Sequence, residues 1–429
     1  MSAPAETPRL ERRIGLGGAT LLAFNGAVGA SIFALPATLA ADFGAFAPWL
    51  FPLVALASLV IVIPFARSVA AFPDSGGPAT YGRVFGRAAG FELGWVYYVA
   101  RVAAFAANAN VLIAYLGRWW PAAADGVVRA ALLIAITAAL TAGNIAGVRR
   151  ALSILAGFTV LKTVPLVIAA IAALLFFGPI PAPGPAPPLT QLEAGTLIVF
   201  YAFVGFENAV VPAGETRRPG STLPRAMLIT IAATAALYFV VQLAFVTMFP
   251  DGGANADAPM IDLGSRLAGP AGAAILTLAA LFSLAGNLHG NLTATPRVTS
   301  SMAARGDLPA WFGAVHPRFA TPANSILFMA ALTAALAVTG SFVWLAVVST
   351  LARLIVYAAT IAALPRAPQR PALRPVHWLS GAAGIALCAL AAAQADAKAW
   401  ATLAVLALAG LLLFALAAPG SKESPPRPE

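Results

Sequence analysis

The chain is poor in the residues that enzyme chemistry and covalent cross-linking draw on. Its 429 residues include one cysteine, Cys388, and three histidines. A lone cysteine excludes an intrachain disulfide framework and a CxxC metal site. The histidines, at 289, 316 and 377, lie far apart, with no HExxH or nucleophile-elbow motif. A polytopic membrane enzyme would need clustered His, Asp, Glu or Cys to hold a metal or activate a nucleophile. No catalytic residue, metal or cofactor is therefore expected. A channel would show a ring-forming selectivity motif or repeated pore charges, and neither is present. Charged residues are also scarce, at 10% against 60% hydrophobic residues. Soluble domains carry roughly 25%, so a soluble fold is excluded.

What is present is a succession of long uncharged runs, many near the ~20 residues a helix needs to cross a bilayer. They predict an all-α polytopic membrane protein of about 12 spans: 15–41, 46–70, 88–116, 127–144, 151–177, 192–214, 224–249, 268–303, 322–339, 341–364, 376–394 and 399–417. The first residues, through Arg13, are polar, and the apolar segment after them has no clear cleavage site, unlike a secretory signal. Between spans the chain is rich in Pro, Gly and charge, most plainly over Gly178–Pro188.

The net charge of +10 would suit a nucleic-acid partner only if the basic residues were clustered for one. They follow the membrane instead. With the N-terminus in the cytoplasm, 19 Lys and Arg fall on the inner side, 4 on the outer side and 3 within spans. This is the positive-inside pattern, with both termini cytoplasmic and no nucleic acid. Arginine far outnumbers lysine and alanine is abundant, which reads as a GC-rich bacterial genome and a cytoplasmic (inner) membrane.

Two spans are interrupted at matching positions. In the first, Asn25-Gly-Ala-Val-Gly-Ala-Ser-Ile-Phe33 concentrates small residues, and Pro36 follows one turn later. Alone, this is equally a helix-packing patch. In the sixth, Phe200-Tyr-Ala-Phe-Val-Gly-Phe-Glu207-Asn208 places glycine and a carboxylate inside an apolar run. Five spans separate the breaks, as an inverted repeat of five plus five helices predicts, with the substrate site at the breaks. Unwound backbone offers N–H groups for a carboxylate and carbonyls for an ammonium. A zwitterionic amino acid matches both.

Five ionisable groups inside spans are singled out as functional candidates. Lys162 lies near the centre of span five, too deep to reach water easily. It is either a static structural cation on the carbonyls of helix 1 or a proton-exchanging group. Glu207 is expected to gate or to support a network. Arg101 and Arg353, in spans three and ten, are expected to bond carbonyls or a carboxylate such as Glu207 across helices. His289, with Asn287 and Asn291, reads either as a satisfied core group or as part of a polar lining facing helix 1.

Three segments, with a fourth that also fits, resemble the amino acid–polyamine–organocation (APC) superfamily of transporters, and with them the likeness covers nearly the whole chain. Gly29-Ala-Ser-Ile-Phe-Ala-Leu-Pro36 is close to the family's G-[SA]-G-[IV]-F-x-x-P. Tyr201 to Glu207 is followed by Glu215-Thr-Arg-Arg-Pro219 and Leu223-Pro-Arg-Ala226. Ala304-Arg-Gly-Asp-Leu-Pro309 resembles the loop after the family's eighth helix, and Ser75 to Tyr81 the segment after its second.

The resemblance implies a LeuT-type fold with broken helices 1 and 6. It divides the chain into a cytoplasmic tail (1–13), a ten-helix core (14–365; repeats about 14–177 and 190–365), two added helices (376–418) and a second tail (419–429). It also implies secondary active transport of an amino acid. The substrate carboxylate would meet N–H groups at Gly29, Ala30 and Ser31, and the ammonium would meet carbonyls near Gly26, Tyr201 and Val204. Tyr201 and Phe203 would be pocket or gate aromatics. Some sodium-independent relatives carry a lysine on helix 5 in the place of sodium, which Lys162 resembles; Ser283 is its expected neighbour. The chain departs from the family at Ser31, where a second glycine is usual, and at Ala66-Arg67-Ser68, which lacks an acidic residue. With no fixed acid besides Glu207, a neutral substrate is expected, carried with or without protons. Exchange against a second amino acid or polyamine is the alternative.

Overall fold

The computed structural model describes residues 14–72, 77–146, 151–210, 213–250 and 254–417. The expected tails, Arg149 and Arg150, and Ser75 and Gly76 of the second-helix motif lie outside the described residues. Among the described residues, fifteen α-helices follow in order. They are α1 (Leu16–Ala27), α2 (Ser31–Phe43), α3 (Leu50–Ala70), α4 (Pro78–Gly82), α5 (Arg87–Gly117), α6 (Gly126–Ile145), α7 (Ala151–Phe176) and α8 (Leu189–Tyr201). The remainder are α9 (Pro219–Met248), α10 (Pro259–Ala294), α11 (Pro296–Ala304), α12 (Ala323–Thr339), α13 (Phe342–Ala363), α14 (Pro375–Ala393) and α15 (Ala397–Leu416). Among the described residues the sole β pairing is an isolated bridge between Ile14 and Thr216.

Among the described residues, 10 helical stretches are long and apolar enough to cross a membrane. The difference from about 12 has two sources. The first span is cut into α1 and α2, and α2 continues through a 3-10 stretch into α3, so that Ser31–Ala70 forms one apolar run. Gly44, at φ +52°, takes the backbone conformation that ends α2 and leads into the 3-10 stretch. The ninth span, α12, has 17 residues. The eighth begins earlier than its hydropathy indicates: α10 opens at Pro259 and bends at Ala268 and Gly269, ahead of Pro270.

Burial sorts the helices by role. The apolar window of α5 is 89% buried, whereas those of α6 and α15 are 17% buried. The small residues Ala103, Ala104, Ala106 and Ala107 let neighbours approach α5 closely, most extensively α13. On α7, Val164, Ile168, Ile171 and Leu175 are exposed, as lipid-facing residues would be. The opposite stripe of Leu166, Ala170 and Ala173 is buried, and Lys162 sits on that stripe. Near the C-terminus, α15 lays Gly410 against the Trp95 indole, which donates to Leu406 O at 2.7 Å.

Arg83, Arg87 and Arg305 form an arginine-rich cluster around Asp307. There Asp307 accepts Arg83 Nη2 at 2.7 Å and Arg87 Nε at 2.8 Å, tying the loop after α11 to the start of α5. Burial alone would raise the Asp307 carboxyl, but the hydrogen bonds and charges of Arg87 and Arg83 outweigh it and hold it below its ordinary value.

Candidate functional site

The two interrupted helices meet. α1 ends at Ala27, Val28 leaves helical geometry at φ −85° and ψ 86°, and α2 starts at Ser31. The first N–H groups of α2 lack carbonyls one turn upstream, as at any helix start. α8 ends at Tyr201, the chain turns over residues 202–205, and a 3-10 segment runs over Phe206–Val210. Gly205 has φ +110°. A Cβ there would lie 2.5 Å from the Gly26 carbonyl oxygen, and one on Gly26 would lie 2.8 Å from that of Gly205. The breaks therefore touch backbone against backbone, and only glycine satisfies both the dihedral and the approach.

Three helices converge on the first break. From α7, Lys162 Nζ donates to Asn25 Oδ1 at 2.8 Å and to the Val28 carbonyl. From α10, Ser283 Oγ reaches the Gly29 carbonyl at 3.5 Å, and Asn287 Nδ2 reaches Asn25 O at 3.2 Å and Gly26 O at 3.4 Å. Lys162 and Ser283 thus address neighbouring carbonyls of one unwound turn. From α5, Asn108 faces Gly29: a Cβ there would lie 3.0 Å from Asn108 Oδ1. That oxygen is buried and has no partner among the described residues. The Gly29 N–H donates to the Ala27 carbonyl at 3.1 Å, so Asn108 Oδ1 faces a turn in which that amide is already engaged.

The second break carries the carboxylate. Glu207 Oε1 accepts Arg353 Nε at 2.8 Å, and Oε2 accepts Tyr357 Oη at 2.7 Å and the Gly205 N–H at 2.8 Å. Arg353 and Tyr357 lie four residues apart on one face of α13. Arg353 also donates to Ser349 Oγ and, at 3.3 Å, to Ala100 O. Burial makes such a pair mutually dependent, because either ion left alone is costly.

Arg101 does not join this pair. It donates to Thr295 Oγ1 at 2.6 Å, to Tyr97 Oη at 3.2 Å and to Asn208 Oδ1, while Asn291 Nδ2 donates to its carbonyl at 2.9 Å. Asn208 in turn abuts Gly26, so Arg101 is one side chain removed from the first break. Asn287 and Asn291 both bond α5, since Asn287 Oδ1 accepts Asn108 Nδ2 at 3.3 Å, but Asn287 alone of the two also reaches the first break. His289, two residues beyond Asn287, lies about 200° round the helix and does not share its face; its carbonyl accepts Thr293 Oγ1 at 2.8 Å.

The aromatic candidates are buried at the second break. Tyr201 meets Phe342 edge-on at 5.8 Å between centroids, and Phe203 meets Phe51 at 6.4 Å. Val204 is buried in the intervening turn. A cavity of about 220 Å³ extends from Pro78 and Arg297 to buried Tyr97, Glu207 and Tyr357. Sequence reasoning passed over Asn25, Asn108, Asn208, Tyr238 and Tyr357, since single amides and phenols carry no periodic signal. It also passed over Glu92 in α5, whose Oε2 is buried without a partner among the described residues.

A family model described as "Amino acid permease" matches residues 14–419. An uncharacterised transporter of Mycobacterium tuberculosis is 32% identical over 365 residues, 78% of this chain and 76% of that protein. An uncharacterised amino acid permease of Bacillus subtilis is 27% identical over 335 residues, covering 76% of this chain and 77% of that one. A second B. subtilis protein, provisionally named an arginine/ornithine antiporter, is 26% identical over 328 residues, with 68% and 69% covered. Paired helix breaks, apolar spanning helices and a match over almost the full length agree: the chain is a multi-pass membrane protein that belongs to the amino acid permease family of the APC superfamily.

Proposed function

We propose that the protein carries a neutral amino acid across the cytoplasmic membrane by secondary active transport with alternating access. The observation that carries this reading is the backbone contact of the two broken helices at Gly26 and Gly205. N–H groups of Gly29, Ala30 and Ser31 suit a carboxylate. Asn108 Oδ1 and carbonyls near Gly26, Tyr201 and Val204 suit an ammonium, with Tyr201 and Phe203 as the aromatic gate. A second positive charge on the substrate would find no free acid at the breaks, because Glu207 is already bonded to Arg353, Tyr357 and Gly205. That argument favours a neutral substrate over the cationic amino acids in the names of some relatives.

In this reading, repeats of about 14–177 and 190–365 move against each other, 376–418 adds two flanking helices, and both termini are cytoplasmic. The cavity beneath Glu207 is then the inner vestibule. Glu207, Arg353, Arg101 and His289 belong to the gating network. The Lys162 ammonium stands in for a coupling sodium ion on Asn25 and Val28, beside Ser283, and carries protons. Purified protein in proteoliposomes should show saturable, sodium-independent counterflow of a labelled neutral amino acid. If no zwitterionic amino acid enters or exchanges, the reading is wrong. The relative provisionally named an antiporter supports a second reading, obligatory exchange. Uptake into vesicles preloaded with amino acid but not into empty ones would select it.

A further inference from the structure

Ser31 stands where the family motif carries glycine, and its hydroxyl is committed. Its Oγ lies 2.6 Å from Tyr238 Oη on α9, with both groups buried. The Tyr238 ring packs against Phe51 of α3 at 5.2 Å between centroids, and Phe51 packs against Phe203 at 6.4 Å. None of the four is more than 2% exposed. Ser31 opens α2 at the first break, and Phe203 lies in the turn of the second. The contacts therefore run from one break to the other through α9 and α3, a separate route from the backbone contact of Gly26 with Gly205. Any ligand held between Ser31 and Phe203 has these rings along one side.

We propose that Tyr238 and Phe51 form the wall that sets the size of the substrate side chain, and that the Ser31 hydroxyl fixes the position of that wall. The inference rests on the amino acid transport reading above and narrows its substrate to small apolar side chains. Aromatic rings suit this task because they present a large face with only two rotatable bonds. The phenol also takes a backbone hydrogen bond from Ile32, so a glycine at position 31 would remove one of its two anchors and let the wall shift. Discrimination by side-chain volume in an apolar pocket is about 10- to 200-fold per methylene, which sets the scale of the expected change.

The test is a competition panel of alanine, valine, leucine and phenylalanine against a labelled substrate, on purified protein in liposomes. Phe51→Ala should raise the affinity for phenylalanine relative to alanine by about tenfold or more. Ser31→Gly and Tyr238→Phe should each shift that ratio in the same direction by about threefold. Their double variant should shift it no further, as expected for two ends of one hydrogen bond. Should Phe51→Ala fail to fold, Phe51→Leu supplies the same readout. A ratio unchanged in the Phe51 variant while the unaltered protein binds amino acids overturns this inference alone. Absence of amino acid binding by the unaltered protein overturns the transport reading and this inference with it.

Discussion

The two helix breaks hold opposite charges in opposite ways. At the first, the Lys162 ammonium rests on an amide oxygen and a backbone carbonyl, with no carboxylate paired to it among the described residues. At the second, both oxygens of Glu207 are occupied, by a guanidinium, a phenol and a backbone amide. The ammonium completes the polar environment of an unwound turn, as a bound cation would. The carboxylate is matched by a counter-ion on α13 and braces the turn against that helix. One break is therefore built around exchangeable neutral oxygens, and the other around a closed ion pair.

That contrast can be broken experimentally. The largest effect is expected from Glu207→Gln, which leaves Arg353 buried without its counter-ion. Thermal unfolding in detergent should show a loss of about 3–5 kcal/mol. Glu207→Gln with Arg353→Met should recover most of that loss but no transport. Gly205→Ala comes next: positive φ costs about 1–3 kcal/mol, and its Cβ would press on the Gly26 carbonyl. Uptake should vanish while expression falls only in part. Lys162→Met removes the ammonium from the Val28 carbonyl and leaves Asn25 Oδ1 only the 3.5 Å contact of Thr159 Oγ1, a cost of about 1–3 kcal/mol before local relaxation. An imposed pH gradient should stimulate uptake by the unaltered protein and leave that of the variant unchanged. A loss in Lys162→Met as large as that in Glu207→Gln would erase the contrast.

The smallest effect is expected at Asp307, whose arginine partners are half exposed, so its loss should cost about 1 kcal/mol. Its carboxyl lies below the ordinary value of 3.8 in the folded protein. The contribution is therefore complete above pH 3.8 and lost only as pH falls through the lower folded value. Unfolding curves of Asp307→Asn and the unaltered protein should keep a constant offset from pH 5 to 8 and converge only in stronger acid.

Much of this was legible in the sequence because a bilayer leaves few options. Hydropathy marks the spans. Small residues around Gly29, and the carboxylate after Gly205, mark the places where backbone departs from a helix. Lys162 was conspicuous because nothing near it in sequence could neutralise it. The partners were not legible. Asn25, Asn108 and Asn208 are single amides in apolar helices, where the alternative of bonding one turn back on the same helix is always open. That Arg353 rather than Arg101 meets Glu207 depends on which faces α5 and α13 present, and spacing along the chain does not encode it. The early start of α10 was hidden because residues 259–267 are too polar to register as a span.

The contact between Gly26 and Gly205 has a mechanical consequence. Joints between helices are usually toothed, and sliding them forces side chains out of one set of grooves and into another. Here peptide plane bears on peptide plane, the Asn208 amide is the side chain set against them, and no methyl groups at Gly26 or Gly205 have to lift over one another. Resistance to rotation at that point comes from the reorientation of peptide dipoles. A ligand whose charged ends align with those dipoles then acts on the bearing itself, so that binding and movement share the same few atoms.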